Sequence, residues 1–368
     1  MRAWVLHGVN DIRLETADTP APGDGEVLVS VKATGICGSD IQRVYDTGAH
    51  VHPLVIGHEF SRVVADVGLG VESKWIGKRV GVYPLISCGN CIPCQGKNYE
   101  LCRDYSYLGS RRDGGFAEYV AVPAENLIEL PSEVKYEETA MLEPMAVAVH
   151  AMRRIEVSES DTIAVCGLGT IGLLLLMFLL EAGESGEAII RKDSGDKYVE
   201  RFCRKILVIG NKESQKRTAV KMGLSEDCYC DNRTQEVTEW LLERTDGKGV
   251  DVFYECVGKD ETFAQAVTYT APGGKVVLIG NPYSDMGLER NVYWKILRNQ
   301  LTVTGTWNSS FTHSLNDDWH YVTNRLTQKR INPSALISHR FPLEKLVHGM
   351  EIMRDKTAEY VKIMGIIE

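Results

Sequence analysis

The sequence predicts an α/β protein in two parts: a β-rich domain, then a doubly wound parallel sheet. Three observations carry that expectation. Short strand-like runs broken by Gly, Pro and Asp turns fill the first ~145 residues. From about Asp161 onwards, apolar runs alternate with helical segments, and Gly stands at the C-terminal ends of the runs, the pattern of parallel strands covered on both faces. The length of 368 residues suits two domains at roughly 100–200 residues each.

The elements follow in order. MRAWVLHGVNDIRLE alternates like a strand and lacks the apolar stretch of a signal peptide. EVLVSVKATG (26–35), SRVVADVG (61–68), KRVGVYPL (78–85) and FAEYVAVP (116–123) read as further strands separated by long loops. The parallel set comprises TIAVCG (162–167), ILVIG (206–210), DVFYECVG (251–258), KVVLIG (275–280) and LTVTG (301–305). The most apolar stretch, TIGLLLLMFLL from Thr170 to Leu180, is shorter than the ~18 residues of a membrane span and reads as a buried helix, so a soluble, cytoplasmic protein is expected. The tail from about Ser310 returns to short mixed elements that can fold back onto the first part.

Composition narrows the function. With 44% hydrophobic and 25% charged residues, disorder and fibrous repeats are excluded. The net charge of −9 disfavours nucleic acid, whose binding draws on basic residues, and an anionic small molecule would need a local basic patch. Ten cysteines are present, four of them between Cys88 and Cys102, and such crowding in a cytosolic chain points to metal.

Three constellations carry chemistry. Cys88-x2-Cys91-x2-Cys94-x7-Cys102 offers four thiolates that close a structural zinc site; an iron–sulfur run opens the same way, but its fourth Cys follows three residues later and precedes Pro, whereas Cys102 precedes Arg103. Cys37 in GICGSD, His58 and Glu59 in IGHE, and Glu143 in LEP supply the thiolate, imidazole and carboxylates of a catalytic zinc with one position left open. Asp40 is a candidate to orient an imidazole ligand and Ser39 a candidate to pass a proton towards solvent, although either can be a turn residue at a strand end. Gly167-Leu-Gly169-Thr170-Ile171-Gly172 follows a strand and opens a helix, the setting in which glycines admit a pyrophosphate at a helix N-terminus.

These pieces, together with GAH (48–50), IGHEFS (56–61), GSRRDGGFAEY (109–119) and KILRNQLTVTGTW (295–307), resemble the zinc-dependent medium-chain alcohol and polyol dehydrogenases over essentially the whole chain. The resemblance implies a GroES-like catalytic domain from 1–145 and 311–368, with the zinc lobe at 88–102, and a Rossmann coenzyme domain at 146–310. It implies Cys37, His58 and Glu143 around the catalytic zinc, Glu59 as an alternate ligand and Asp40 behind His58. The implied reaction is oxidation of a secondary alcohol of a polyol or polyol phosphate to a ketose, with hydride transfer to NAD(P). A homo-oligomer, dimer or tetramer, is implied as well, with LTVTG at the sheet edge.

Three departures stand out. Arg62 occupies a position where the family usually has Gly. About twenty extra residues, 184–204, separate the first Rossmann helix from ILVIG. The acidic residue that ends the second strand in NAD-binding members is replaced by Gly210, followed by Asn211 and Lys212, with Arg217 nearby in sequence; this leans the coenzyme towards NADP, unless the extra segment shifts the register and Asp193 is that acid. Arg111 and Arg112 are candidates for a substrate phosphate or, alternatively, for surface ion pairs, and His50 and Trp307 are candidates for the polyol pocket. An unphosphorylated polyol, diol or threonine-type substrate is the alternative within the family. A non-catalytic redox protein using Cys166, Cys203, Cys228, Cys230 or Cys256 is the alternative outside it.

Overall fold

A computed structural model describes residues 1–185 and 205–368. The chain divides into two compact units, 1–146 with 309–368 and 147–308.

In the first unit, Arg2–Gly8 and Asp11–Thr16 form an antiparallel hairpin, whose first strand also pairs Leu54–Val55. The central strand is Glu26–Gly35, flanked antiparallel by Glu59–Val67, Tyr119–Pro123 and the C-terminal strand Lys362–Ile366. Lys362–Ile366 then pairs parallel with Ile337–Pro342, so the tail completes the sheet of this unit. Alternation writes the core: Val27, Val29 and Val31 point inwards and are fully buried, and Phe60 and Val64 join them from the neighbouring strand. The run at 116–123 pairs as a strand only from Tyr119. Its first residues meet the loop before His58 instead, through Gly115 N–H to Gly57 O at 2.8 Å and Phe116 N–H to Ile56 O at 2.9 Å. The run at 78–85 splits into Arg79–Val82 and Leu85–Ile86, the latter pairing Ser106–Tyr107.

Arg62 lies among these apolar side chains. The ladder shifts register beside it: Arg62 stands opposite Val31 and Val80, while the preceding Ser61 stands opposite Ala33, one residue further along the central strand than an unbroken ladder gives. The side chain shares a face with Phe60, its guanidinium 3.0 Å from the ring centroid, and it is fully buried. None of its three nitrogens has a hydrogen-bond partner among the described residues, and burial pushes its pKa well down. Leaving a charge in an apolar core without a partner is costly, and replacing such a group by a hydrophobe of similar volume is stabilising by ~1–4 kcal/mol. Arg62→Met is therefore expected to raise the melting temperature by at least about 2–4 °C for a domain of this size. A lowered melting temperature in thermal unfolding would show that the guanidinium has a role in the core.

The second unit is a six-stranded, all-parallel sheet. Its order is Tyr229–Asp231, Lys205–Gly210, Thr162–Cys166, Val250–Glu255, Thr270–Leu278 and Thr302–Gly305. This 3-2-1-4-5-6 arrangement reverses direction of winding beside Thr162–Cys166, where doubly wound sheets place their ligand crevice. The helix Thr170–Ser185 follows that strand, with Leu173 to Leu176 fully buried, and no helix among the described residues is long and apolar enough to cross a membrane. Tyr229–Asp231, too short to read in the sequence, completes one edge. The extra segment lies outside the described residues from 186 to 204, and with it Asp193 and Cys203.

Candidate metal centre and coenzyme cavity

The first centre is assembled at the end of the strand Glu26–Gly35. Cys37 caps the short helix Gly38–Gln42: its N–H donates to Asp40 Oδ2 at 3.0 Å, and Asp40 N–H donates back to Cys37 O at 3.1 Å. That reciprocal pair fixes Cys37 and turns the fully buried Asp40 inwards, where Oδ1 accepts from Arg43 at 2.8 Å and stands 3.5 Å from His58 Nδ1. Burial disfavours the charged imidazole, yet Asp40 and then Cys37 hold the His58 pKa well above its ordinary value. Burial likewise opposes ionisation of Asp40, but His58, Arg43 and the Cys37 N–H bring its pKa down.

Donor atoms of Cys37, His58 and Glu59 all lie within 4.8 Å of one another. Glu59 begins the strand Glu59–Val67 and forms a buried ion pair with Lys362, whose Nζ also donates to Ile36 O at 3.0 Å. Glu143, in the first turn of the helix Leu142–Met152, is buried and stands outside that three-donor set. Tyr107 Oη donates to Glu143 Oε1 at 3.3 Å, and the Tyr107 ring meets His58 edge-on at 5.8 Å. Burial pushes Glu143 up to about 7; His58 and Lys362 oppose that rise and Glu59 adds to it. Two carboxylates and a thiol drawn together out of water are an unfavourable set that a divalent cation would balance, and thiolate, imidazole and carboxylate are the donors zinc takes. The residues therefore fit a zinc ion.

Neither Tyr107 nor Lys362 was expected from the sequence. Lys362 opens KIMGI, an otherwise apolar strand, and a lysine at the head of such a run is the one signal that could have found it. Ser39 lies in the first turn after Cys37, half-buried.

The second cluster is closed. Sγ atoms of Cys91 and Cys94 are 3.4 Å apart, Cys91 and Cys102 3.9 Å, and Cys88 and Cys94 4.0 Å. These are close to the ~3.8 Å edges of a tetrahedron with Zn–S bonds of ~2.3 Å. The Arg103 and Cys94 backbone N–H groups pull the Cys91 thiol down to about 6, whereas burial and the neighbouring sulfurs push Cys94 up to about 12, so the case for a metal here rests on the sulfur geometry.

The glycine turn borders a cavity of about 430 Å³ in the second unit, lined by Gly167, Gly169, Gly210, Asn211, Gln215 and Asn232 among others. A Cβ at Gly172 would strike the carbonyl of Gly167, whereas one at Gly169 would meet nothing within 4 Å: the first glycine serves packing and the other leaves room for a phosphate. Thr170 and Ile171 form the first turn of the helix behind it. The second parallel strand ends at Gly210, and Lys212 caps the following helix Glu213–Lys221. Gly210 packs against the Tyr229 ring, whose hydroxyl end would have to shift to admit a side chain there. Asp231, which pairs with Gly210 across the sheet, is committed to Arg233 at 2.5 Å, which pulls it down to about 2.

The arginines expected at the substrate end make other contacts. Arg112 pairs with Glu26; Arg111 donates to Tyr105 O at 3.1 Å and stacks on the Tyr105 ring at 4.4 Å. His50 is exposed on its loop, and Trp307 is 54% exposed in the other unit. The thiols of Cys166, Cys228, Cys230 and Cys256 are all pushed up by burial, which makes them poor redox nucleophiles.

Residues 23–132 match the alcohol dehydrogenase GroES-like domain and residues 202–328 match the zinc-binding dehydrogenase domain. Galactitol 1-phosphate 5-dehydrogenase of Escherichia coli (strain K12) is 29% identical over 88% of each chain, and the crystal structure of galactitol-1-phosphate dehydrogenase from Escherichia coli superposes at a TM-score of 0.84, 26% identity and full coverage of both chains. L-threonine 3-dehydrogenase of Pyrococcus abyssi is 30% identical over 95% of this chain and 94% of its own. A zinc-binding dehydrogenase from Sinorhizobium meliloti bound to NADP superposes at a TM-score of 0.84, with 27% identity over 99% of this chain and 98% of that one. The chain belongs to the zinc-dependent medium-chain alcohol and polyol dehydrogenases: it is a GroES-like domain joined to a Rossmann domain, and an oxidoreductase that uses zinc and a nicotinamide coenzyme.

Proposed function

We propose that the chain oxidises, reversibly, a secondary alcohol of a small polyol or its phosphate to the ketose. The observation that carries this reading is the convergence of Cys37, His58 and Glu59 on one point, with Asp40 behind the imidazole and Glu143 beside it. Cys37, His58 and Glu143, with Glu59 as the alternate carboxylate, would hold the catalytic zinc, and Cys88, Cys91, Cys94 and Cys102 a second, structural one. When bound, zinc acidifies a substrate hydroxyl and the nicotinamide accepts two electrons and a hydrogen from its carbinol carbon. The chain's own groups do the rest. Asp40, 3.5 Å from Nδ1 of His58, would hold that nitrogen and leave Nε2 as the donor, and Ser39, half-buried beside Cys37, would pass a proton towards water.

Gly167, Gly169 and Gly172 would admit the pyrophosphate. The absence of an acid at 210, together with Asn211 and Lys212, favours NADP, whose 2′-phosphate an acid would repel. The likeness to galactitol 1-phosphate 5-dehydrogenase supports a phosphorylated polyol. The second reading, an unphosphorylated polyol, diol or amino alcohol, is favoured by the engagement of Arg112 with Glu26 and of Arg111 with Tyr105. A homo-oligomer is part of the same proposal. Thr302–Gly305 ends the parallel sheet, and Tyr293, Trp294 and Leu297 are exposed on the helix Arg290–Arg298.

The test is coenzyme reduction across hexitols, pentitols, diols and their phosphates, with NAD and NADP in parallel. Turnover of a polyol with a preference for NADP is expected. A strict requirement for NAD would overturn the coenzyme assignment. Turnover confined to plain alcohols would remove the phosphate. Silence across the panel would contradict the substrate class.

A further inference from the structure

Two buried carboxylates belong to the surroundings of the Cys37–His58 pair, Glu59 within its donor set and Glu143 outside it but joined to it through Tyr107, and they are tied by different partners. Glu59 is paired with a cation, Lys362, and Glu143 is held by a neutral donor, the Tyr107 hydroxyl, 3.3 Å from Oε1. The difference has a chemical consequence. An ammonium competes with a metal ion for carboxylate charge, whereas a hydroxyl fixes one oxygen and leaves the charge available on the other. Tyr107 is itself firmly placed. Its strand Ser106–Tyr107 pairs Leu85–Ile86, and its carbonyl accepts from Ser110, Arg111 and Arg112 N–H groups at 3.2, 2.9 and 3.2 Å. Its ring lies edge-on to His58 at 5.8 Å and to Tyr105 at 6.3 Å. The segment reaches this position five residues after Cys102, the last thiol of the four-cysteine lobe.

We propose that Tyr107 is a positioning residue of the metal centre: its hydroxyl orients Glu143 as the carboxylate that completes the Cys37–His58 set, while Lys362 keeps Glu59 in reserve. The proposal rests on the reading of this centre as a zinc site. It assigns Tyr107 no contact with substrate and no proton-transfer step.

The experiment compares wild type, Tyr107→Phe, Glu143→Gln and the double variant, with Cys37→Ser as a control. The first readout is loss of zinc to a chelator at graded concentration. The second is the absorption spectrum of protein reloaded with cobalt(II) at the labile site. Phe keeps the ring against His58 and removes only the hydroxyl. Tyr107→Phe is expected to weaken zinc retention at the labile site about tenfold or more, the usual cost of losing a hydrogen-bond partner of a metal ligand. The cobalt spectrum should shift, kcat should fall with KM little changed, and the four-cysteine zinc should be retained. In the Glu143→Gln background the same substitution should add nothing further. Wild-type retention and an unshifted spectrum in Tyr107→Phe, or full additivity in the double variant, would overturn the assignment. If Cys37→Ser holds as much labile zinc as wild type, the zinc reading itself falls, and the proposal falls with it.

Discussion

Cys37→Ser should fold, keep its four-cysteine zinc and bind coenzyme, yet lose turnover by about a thousandfold or more. The size follows from what the thiolate does. It is the one sulfur donor of the three-donor set, and a bound cation that stabilises developing charge on the substrate oxygen is worth several kcal/mol, of which ~4 kcal/mol corresponds to roughly a thousandfold in rate. The fold should survive because the backbone N–H of Cys37, not its sulfur, is what Asp40 holds at 3.0 Å, and serine caps a helix readily. Coenzyme binding should survive because the glycine cavity is lined entirely by residues of the other unit. Calorimetric binding of NADP or NAD, run beside the rate assay, separates the two effects; loss of both together would contradict this division of labour.

Cys91→Ser should leave the reaction chemistry in place and strike stability. Three of the six sulfur pairs stand 3.4–4.0 Å apart and all four sulfurs lie within 4.8 Å of one another, so the lobe from Cys88 to Cys102 is shaped to hold an ion. Around it there is little else to hold the chain: the helix Ile92–Gln95 has only four residues, and Ile92 and Leu101 are exposed. A site that orders such a segment contributes its binding free energy to folding. Losing one of four thiolates should cost at least about 3–5 kcal/mol, or a fall in melting temperature near 10 °C at ~2–4 °C per kcal/mol. One zinc fewer per chain should accompany that fall. An unchanged melting temperature in differential scanning calorimetry would mean that the lobe is held by packing alone.

Much of this was legible in the sequence, and the reasons are local. The apolar run ILVIG pointed to Gly210 as the end of the second strand, where the structure ends it, but the long segment before it left a second register open, with Asp193 as the acid, because an all-apolar buried strand has no in-out alternation to choose between registers. The four cysteines, Cys37 and His58 were readable because thiol and imidazole are rare and their spacing is tied to ligand geometry. Lys362 was hidden for the opposite reason. Lysine ordinarily reads as surface, and its pairing with Glu59 spans almost the whole chain, which no window of sequence reports. Tyr107 looked like one more aromatic beside a turn until the fold set its hydroxyl on Glu143. Arg111 and Arg112 read equally as phosphate ligands or as ion pairs, and only the position of Glu26 and Tyr105 distinguishes what they touch.

Cys37, His58 and a neighbouring carboxylate should hold a zinc distinct from the one in the four-cysteine lobe. Metal analysis of purified wild-type protein and Cys37→Ser, side by side, tests it most directly. Two zinc ions per wild-type chain, falling to one in the variant, is the predicted result. Equal zinc content in the two proteins would contradict it.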